Sequence, residues 1–130
     1  MRTSSYLKSV AGLLFLAIGM PAFSQNVDID QLLADAIQDN KNQNYDASLE
    51  KTRIGMRLAP DYLDFHVLAG RNWELKGQKD SARYYFDYVI EKNPAYAEAF
   101  SYKINMDLED RKFEEAGATI QKALARYPGS

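Results

Sequence analysis

The stretch LDFHVLAGRNWELKGQKDSARYYFDYVIEKNPAY, residues 63–96, decides the fold. It carries His66-x2-Ala69-Gly70-x2-Trp73, then Gly77, then Ala82-x3-Phe86, then Pro94. Gly70 and Ala82 lack bulk, so two antiparallel helices can approach closely there, and Trp73 and Phe86 fill the space beside that contact. Gly77, within Lys76-Gly77-Gln78-Lys79-Asp80, marks a helix end that takes a left-handed residue, and Asp80 is the expected N-cap of the next helix. Asn93-Pro94 stops that second helix, because proline lacks an N–H and disfavours helical geometry just before it. Between these limits Ala82, Tyr85, Phe86, Val89 and Ile90 fall at i, i+3, i+4, i+7 and i+8, one buried helical stripe.

Working outward, Pro60, Pro94 and Pro128 stand 34 residues apart. With each proline at the same position, the chain tiles into units 29–62, 63–96 and 97–130. The third unit is looser: Phe100, Ile104, Phe113, Ala116, Ile120, Ala123 and Pro128 fit, while Asp107 replaces an aromatic and Arg111 the turn glycine. Its second helix shows a stripe of Ala116, Ile120, Ala123, Leu124 and Tyr127. The first unit departs furthest, keeping Tyr45, Ser48 and Pro60 but placing Asp35, Asp39 and Thr52 at usually apolar positions. A polar first helix suits the end of a stack, where one face has no neighbour to cover.

This pattern resembles the tetratricopeptide (TPR) repeat, W-x2-L-G-x2-Y…A-x3-F…P with a 34-residue period, over residues 29–130. The resemblance implies an all-α fold, a short right-handed α-solenoid of three helix–turn–helix units. It also implies a concave groove lined by the first helices. At the positions such repeats expose there, the chain has Asp30, Leu33, Ala34, Ile37, Asn40 and Lys41 in its first unit. The second supplies Asp64, Val67, Leu68, Arg71, Glu74 and Leu75, and the third Glu98, Ser101, Tyr102, Asn105, Leu108 and Glu109. The candidates for protein binding are Leu33, Ile37, Asp64, Val67, Leu68, Arg71, Leu75, Glu98, Tyr102 and Asn105. They either bind a peptide or simply cover a small solenoid. Some TPR proteins clamp a chaperone's terminal carboxylates with Lys, Asn and Arg, but the matching positions hold Leu33, Ile37, Leu68, Glu98 and Tyr102, so that partner class is not expected.

Ahead of the repeats, Met1 to Lys8 carry Arg2 and Lys8 and no acid, and an apolar run from Val10 to Met20 follows, closed by Pro21. Ala22-Phe23-Ser24 then places small residues before Gln25. A basic start, an apolar stretch of about 7–15 residues and an A-x-A-like end make a secretory signal peptide. The expected organisation is therefore a signal peptide at 1–24, a lead at 25–28 and the repeat domain at 29–130. Cleavage after Ser24 leaves 106 residues with a net charge of −4, against −2 for the whole chain.

Composition narrows the chemistry. There is no cysteine and one histidine, His66, among 130 residues. Thiol catalysis, thiolate metal sites and iron–sulfur clusters are excluded, and imidazole sites would need His66, which falls at an inter-helix packing position. The net negative charge does not suit a nucleic-acid surface. Tyr84, and to a lesser degree Tyr88, are the exposed members of an aromatic cluster, and Glu109, Asp110, Glu114 and Glu115 bracket a turn as solvated surface. No enzyme activity, cofactor or metal is expected.

The last unit finishes at residue 130, so Ile120, Leu124 and Tyr127 are expected to form an open end. Such a face packs against a second copy, another protein or a downstream domain. The leading expectation is an exported scaffold or adaptor in the periplasm or envelope that binds another protein or peptide segment. Asp61-Tyr62-Leu63-Asp64-Phe65-His66-Val67-Leu68-Ala69-Gly70-Arg71, followed by Asp80-Ser81-Ala82-Arg83-Tyr84 and Asn93-Pro94-Ala95-Tyr96, is similar to the periplasmic repeat region of YaiO-type outer-membrane β-barrel proteins. That similarity implies a second role, as the repeat segment of a barrel assembly. An accessory domain of an envelope enzyme is the third.

Overall fold

The computed structural model describes residues 26–129; the expected signal peptide, 1–24, lies outside them. Six helices follow one another: α1 (Ile29–Lys41), α2 (Tyr45–Leu58), α3 (Asp64–Leu75), α4 (Lys79–Lys92), α5 (Ala97–Glu109) and α6 (Phe113–Arg126). Among the described residues there is no strand, and the chain is all-α. The even helices start at Tyr45, Lys79 and Phe113 and end at Leu58, Lys92 and Arg126, so both boundaries recur every 34 residues. The odd helices end at Lys41, Leu75 and Glu109 with the same interval. The architecture is repeat-like.

The turn inside each pair repeats down to its hydrogen bonds. Asn44 N–H donates to the Asp39 carbonyl (2.8 Å) and Gln43 N–H to Asn40 (3.0 Å). Gln78 and Gly77 donate to Trp73 (2.8 Å) and Glu74 (2.9 Å), and Lys112 and Arg111 to Asp107 (2.8 Å) and Leu108 (3.1 Å). This pairing closes a helix only when its middle residue is left-handed. Gly77 has φ 79°, as its sequence context predicts, but Gln43 (64°) and Arg111 (59°) adopt the same geometry without being glycine. The turn hands the chain straight to the next helix, so Gln78 is the N-cap of α4 and makes no side-chain cap bond. Asp80, the expected cap, lies inside the first turn, where its carboxylate acts on the helix dipole instead. Only α1 has a side-chain cap, with Asp28 accepting from Gln31 N–H at 3.0 Å.

Consecutive helices pack on one another, and the odd helices also touch along one side, α1 on α3 and α3 on α5. Two glycines set the closest approaches. A Cβ on Gly70 would stand 2.6 Å from Phe86 Cε1, and one on Gly55 would stand 2.3 Å from Phe65 Cε1. Around these contacts Val67, Val89 and Ala99 form one buried cluster, and Ala82, Phe86 and Met106 another. Trp73 packs against the second, as the sequence pattern requires.

The interior also holds polar groups. Asn72, fully buried, donates to Ser48 Oγ (2.7 Å) and to the Leu68 carbonyl (2.9 Å), and its Oδ1 accepts from Asn40 (2.8 Å). Ser48 in turn donates to the Ala36 carbonyl (2.7 Å), so α1, α2 and α3 are joined by one amide–hydroxyl network. Asp107 is buried where an aromatic was expected because Arg83 of α4 reaches it at 2.7 Å and also bonds Asp110 at 2.8 Å. Lys79 bonds Asp110 as well. Asp110 is therefore half-buried and held below the usual carboxylate range by Lys79 and Arg83, rather than simply solvated.

Candidate functional site

The odd helices place one side chain per turn along the face they share, and these side chains enclose a cleft of about 370 Å³. It is lined by Leu33, Ile37, Asn40 and Lys41 from α1, Asp64, Val67, Leu68 and Arg71 from α3, and Glu98 and Tyr102 from α5. Eight of the ten groove residues singled out in the sequence come together here. Leu75 and Asn105 do not: both are exposed outside the cleft lining.

One wall is apolar. Leu33 and Val67 are buried, Leu68 is half-buried and Ile37 is 38% exposed. The other wall is a stack. Tyr102 lies nearly parallel to Phe86 (5.5 Å between centroids, 18°), and the Arg71 guanidinium sits 5.0 Å above the Tyr102 ring. Arg71 also bonds Glu74 at 2.7 Å. The guanidinium is thus held between an aromatic face and a carboxylate, a cation–π arrangement worth about 0.5–2 kcal/mol.

Two carboxylates, Asp64 and Glu98, and two cations, Lys41 and Arg71, line the cleft, so its formal charges balance. Burial raises Asp64 above the usual carboxylate range, and the nearby Glu98 raises it further. Burial also raises the Tyr102 phenol, with Glu98 adding to the effect and Arg71 opposing it. Asn40 donates to Asn72, and the cleft also presents carboxylate and phenol oxygens beside the Lys41 and Arg71 cations.

The open-end residues separate. Ile120 (37%) and Leu124 (45%) are exposed on α6, with Phe113 (61%) on the same side. Tyr127 is half-buried, and its hydroxyl donates to the Ala95 carbonyl, so it closes the loop before α5 rather than adding to an open face. The stripe read for α6 is rotated accordingly: Ala116 and Thr119 are the buried residues. A larger, open cleft of about 760 Å³ lies between α4 and α6, with Ile90, Phe100, Lys122 and Arg126 in its lining. Nothing in the sequence pattern singled it out. It opens where Thr119, Lys122 and Ala125 stand at the positions that Tyr85, Tyr88 and Glu91 hold one unit earlier.

His66 is a packing residue, 8% exposed and stacked on Tyr88 (4.6 Å, 15°). Burial lowers its pKa below the usual imidazole value, and Nδ1 has no hydrogen-bond partner. Tyr84 is exposed as expected, and Tyr88 is half-buried by its stacking. Among the described residues no cluster of three or more His, Asp or Glu could hold a metal ion. Among the same residues no helix is long and apolar enough to cross a membrane.

The described residues define a helical, repeat-like molecule with a cleft on the face its odd helices share. No known family model matches the chain, and no curated protein matches it.

Proposed function

We propose that this chain is an exported, non-enzymatic TPR scaffold or adaptor that binds a peptide segment of another protein in the bacterial periplasm or envelope. The observation that carries the reading is the single cleft formed by Leu33, Ile37, Asp64, Val67, Leu68, Arg71, Glu98 and Tyr102, drawn from three helices. Its apolar wall accommodates aliphatic side chains. Asp64, Glu98 and the Tyr102 hydroxyl accept hydrogen bonds, so the ligand class is an apolar peptide with amide or basic donors. Support for the family comes from the 34-residue helix recurrence, the three matching turns and the Gly70–Phe86 contact. Support for export is the character of residues 1–24. A place beside an outer-membrane β-barrel is compatible with the same cleft and differs only in the partner.

A photo-crosslinking side chain at Ile37 or Leu68, with one at the outward Tyr84 as control, tests the cleft in cells. The expected result is one discrete adduct from the cleft positions, absent from the control and lost when Arg71→Ala and Tyr102→Ala are combined. Equal labelling from Tyr84, or an adduct that survives the double change with helicity intact, would reject the cleft as the site.

A further inference from the structure

From the order of charges along the cleft we infer that its ligand is a peptide segment with one basic and one acidic side chain about three residues apart, separated by aliphatic residues. The segment lies in one orientation, its basic end at Asp64 and Glu98 and its acidic end at Lys41 and Arg71. This inference rests on the peptide-binding role proposed above and adds which segment is bound and which way round.

The cleft's charges balance in number but not in place. Short turns make consecutive helices antiparallel, so α1, α3 and α5 run in the same direction. Asp64 is in the first turn of α3 and Glu98 in the first turn of α5, near enough for Glu98 to act on Asp64. The cations stand at the opposite end. Asn40 bonds Asn72 at 2.8 Å, which brings their chain neighbours Lys41 and Arg71 to one level. Asp64 and Arg71 are two turns apart on one face of α3, about 10 Å along its axis. Between the two ends lie Val67 and Leu68 on α3, with Leu33 and Ile37 on α1.

These charges are available to a ligand. Among the described residues Asp64, Glu98 and Lys41 take part in no ion pair. Arg71 gives Nη1 to Glu74, and a guanidinium has five N–H donors, so it keeps donors for a second carboxylate. Two carboxylates that act on each other are relieved by an ammonium or guanidinium placed between them. Glu74 offsets one of the two cations at the far end, so the basic group of the ligand is the stronger anchor. A segment charged alike at both ends meets repulsion at one of them, which is how the cleft rejects it. Extended chain advances about 3.3 Å per residue, so about three residues span the distance between the charged ends. A volume of about 370 Å³ suits a segment this short.

The test uses two capped peptides, acetyl-Lys-Leu-Leu-Glu-amide and acetyl-Glu-Leu-Leu-Lys-amide. Each is made with a nitroxide amino acid beside its lysine or beside its glutamate, and is added to the isotope-labelled protein for NMR. For both peptides, a nitroxide beside lysine should broaden the amides around Asp64 and Glu98 most. One beside glutamate should broaden those around Lys41 and Arg71 most. The neutral acetyl-Gln-Leu-Leu-Gln-amide should bind about threefold more weakly or worse. Asp64→Asn combined with Glu98→Gln should erase the orientation with far-UV circular dichroism unchanged. Broadening that follows chain direction instead of charge, or lysine at the Lys41 end, would overturn the inference. The neutral peptide bound as tightly in the cleft would also overturn it while leaving the peptide-binding role intact. No shift of the cleft amides by any of the three peptides would remove both.

Discussion

Arg111 and Gln43 hold the left-handed conformation that the equivalent Gly77 adopts freely. The backbone hydrogen bonds of the turn impose it, and a side chain there costs about 1 kcal/mol. Arg111→Gly is therefore expected to raise stability by about 0.5–1 kcal/mol in urea denaturation, and Gly77→Ala to lower it by about the same. The opposite constraint governs Gly55. Its missing Cβ is occupied by the Phe65 ring, so Gly55→Ala should cost about 1–3 kcal/mol, more than Gly77→Ala, which meets open space. Gly70 was legible in the sequence because it sits between Ala69 and Trp73 at a recognisable spacing. Gly55, in Arg53-Ile54-Gly55-Met56, carried no such context, and its role depends on where Phe65 of the next helix lands. His66 gives a pH prediction. Its folded pKa is lowered by burial, so the unfolded chain takes up a proton first as pH falls through about 6.5. Stability from this group is intact above that pH and declines below it until the folded pKa is reached. The melting temperature should fall between pH 7.5 and 5.5, and His66→Phe should flatten the profile; an unaltered profile in the variant would assign the effect elsewhere.

Helices joined in different ways should respond differently to mutation. The first three meet over the Asn72–Ser48–Asn40 network, in which the Asn72 side chain makes all three of its hydrogen bonds inside the protein. Asn72→Leu strands Ser48 and Asn40 and is expected to cost about 2–3 kcal/mol, measured by denaturation. The α4–α5 junction rests on Arg83, which is 16% exposed and bonded to a nearly fully buried Asp107. Asp107→Ala removes one of the two carboxylates on that guanidinium, leaving Asp110, and should cost about 1.5–3 kcal/mol. The helix limits were legible because prolines 60, 94 and 128 each follow an even helix by two residues, and Ala59, Asn93 and Tyr127 before them have left the helical region. Neither polar junction could be read from the chain. Asp107 looked like a defect in a hydrophobic pattern, because its compensating cation lies 24 residues away on another helix. The eight cleft residues were found because they depend on helix phase alone. Leu75 ends α3, whereas Asn105 lies within α5 at the repeat phase of Ile37 and Arg71, so phase alone did not show that it falls outside the lining.

Across the whole molecule burial is uneven. α3 and α4 hold Phe65, Val67, Ala69, Asn72, Ala82, Phe86 and Val89, while α6 buries only Ala116 and Thr119. Amide hydrogen exchange should be slowest in α3 and α4 and fastest in α6, since each helix is stabilised by its neighbours. Uniform protection over all six helices would show a more cooperative unit than the burial pattern supports. The cleft is built from α1, α3 and α5, so it is anchored on the well-buried α3. Between α4 and α5 the chain places Arg83–Asp107, Arg83–Asp110, Lys79–Asp110, Lys79–Glu109 and Lys103–Asp87, whereas α2 and α3 are joined by a single ion pair, Lys76–Asp46. The outer pairs, Lys79–Glu109 and Lys103–Asp87, weaken as electrolyte is added, while the largely buried Arg83–Asp107 pair and the dry amide network change little. Seen as a mechanical object, the stack has one stiff joint and one whose compliance the surrounding salt adjusts, so a load along it would flex the end that carries Tyr102 before it disturbed the rest.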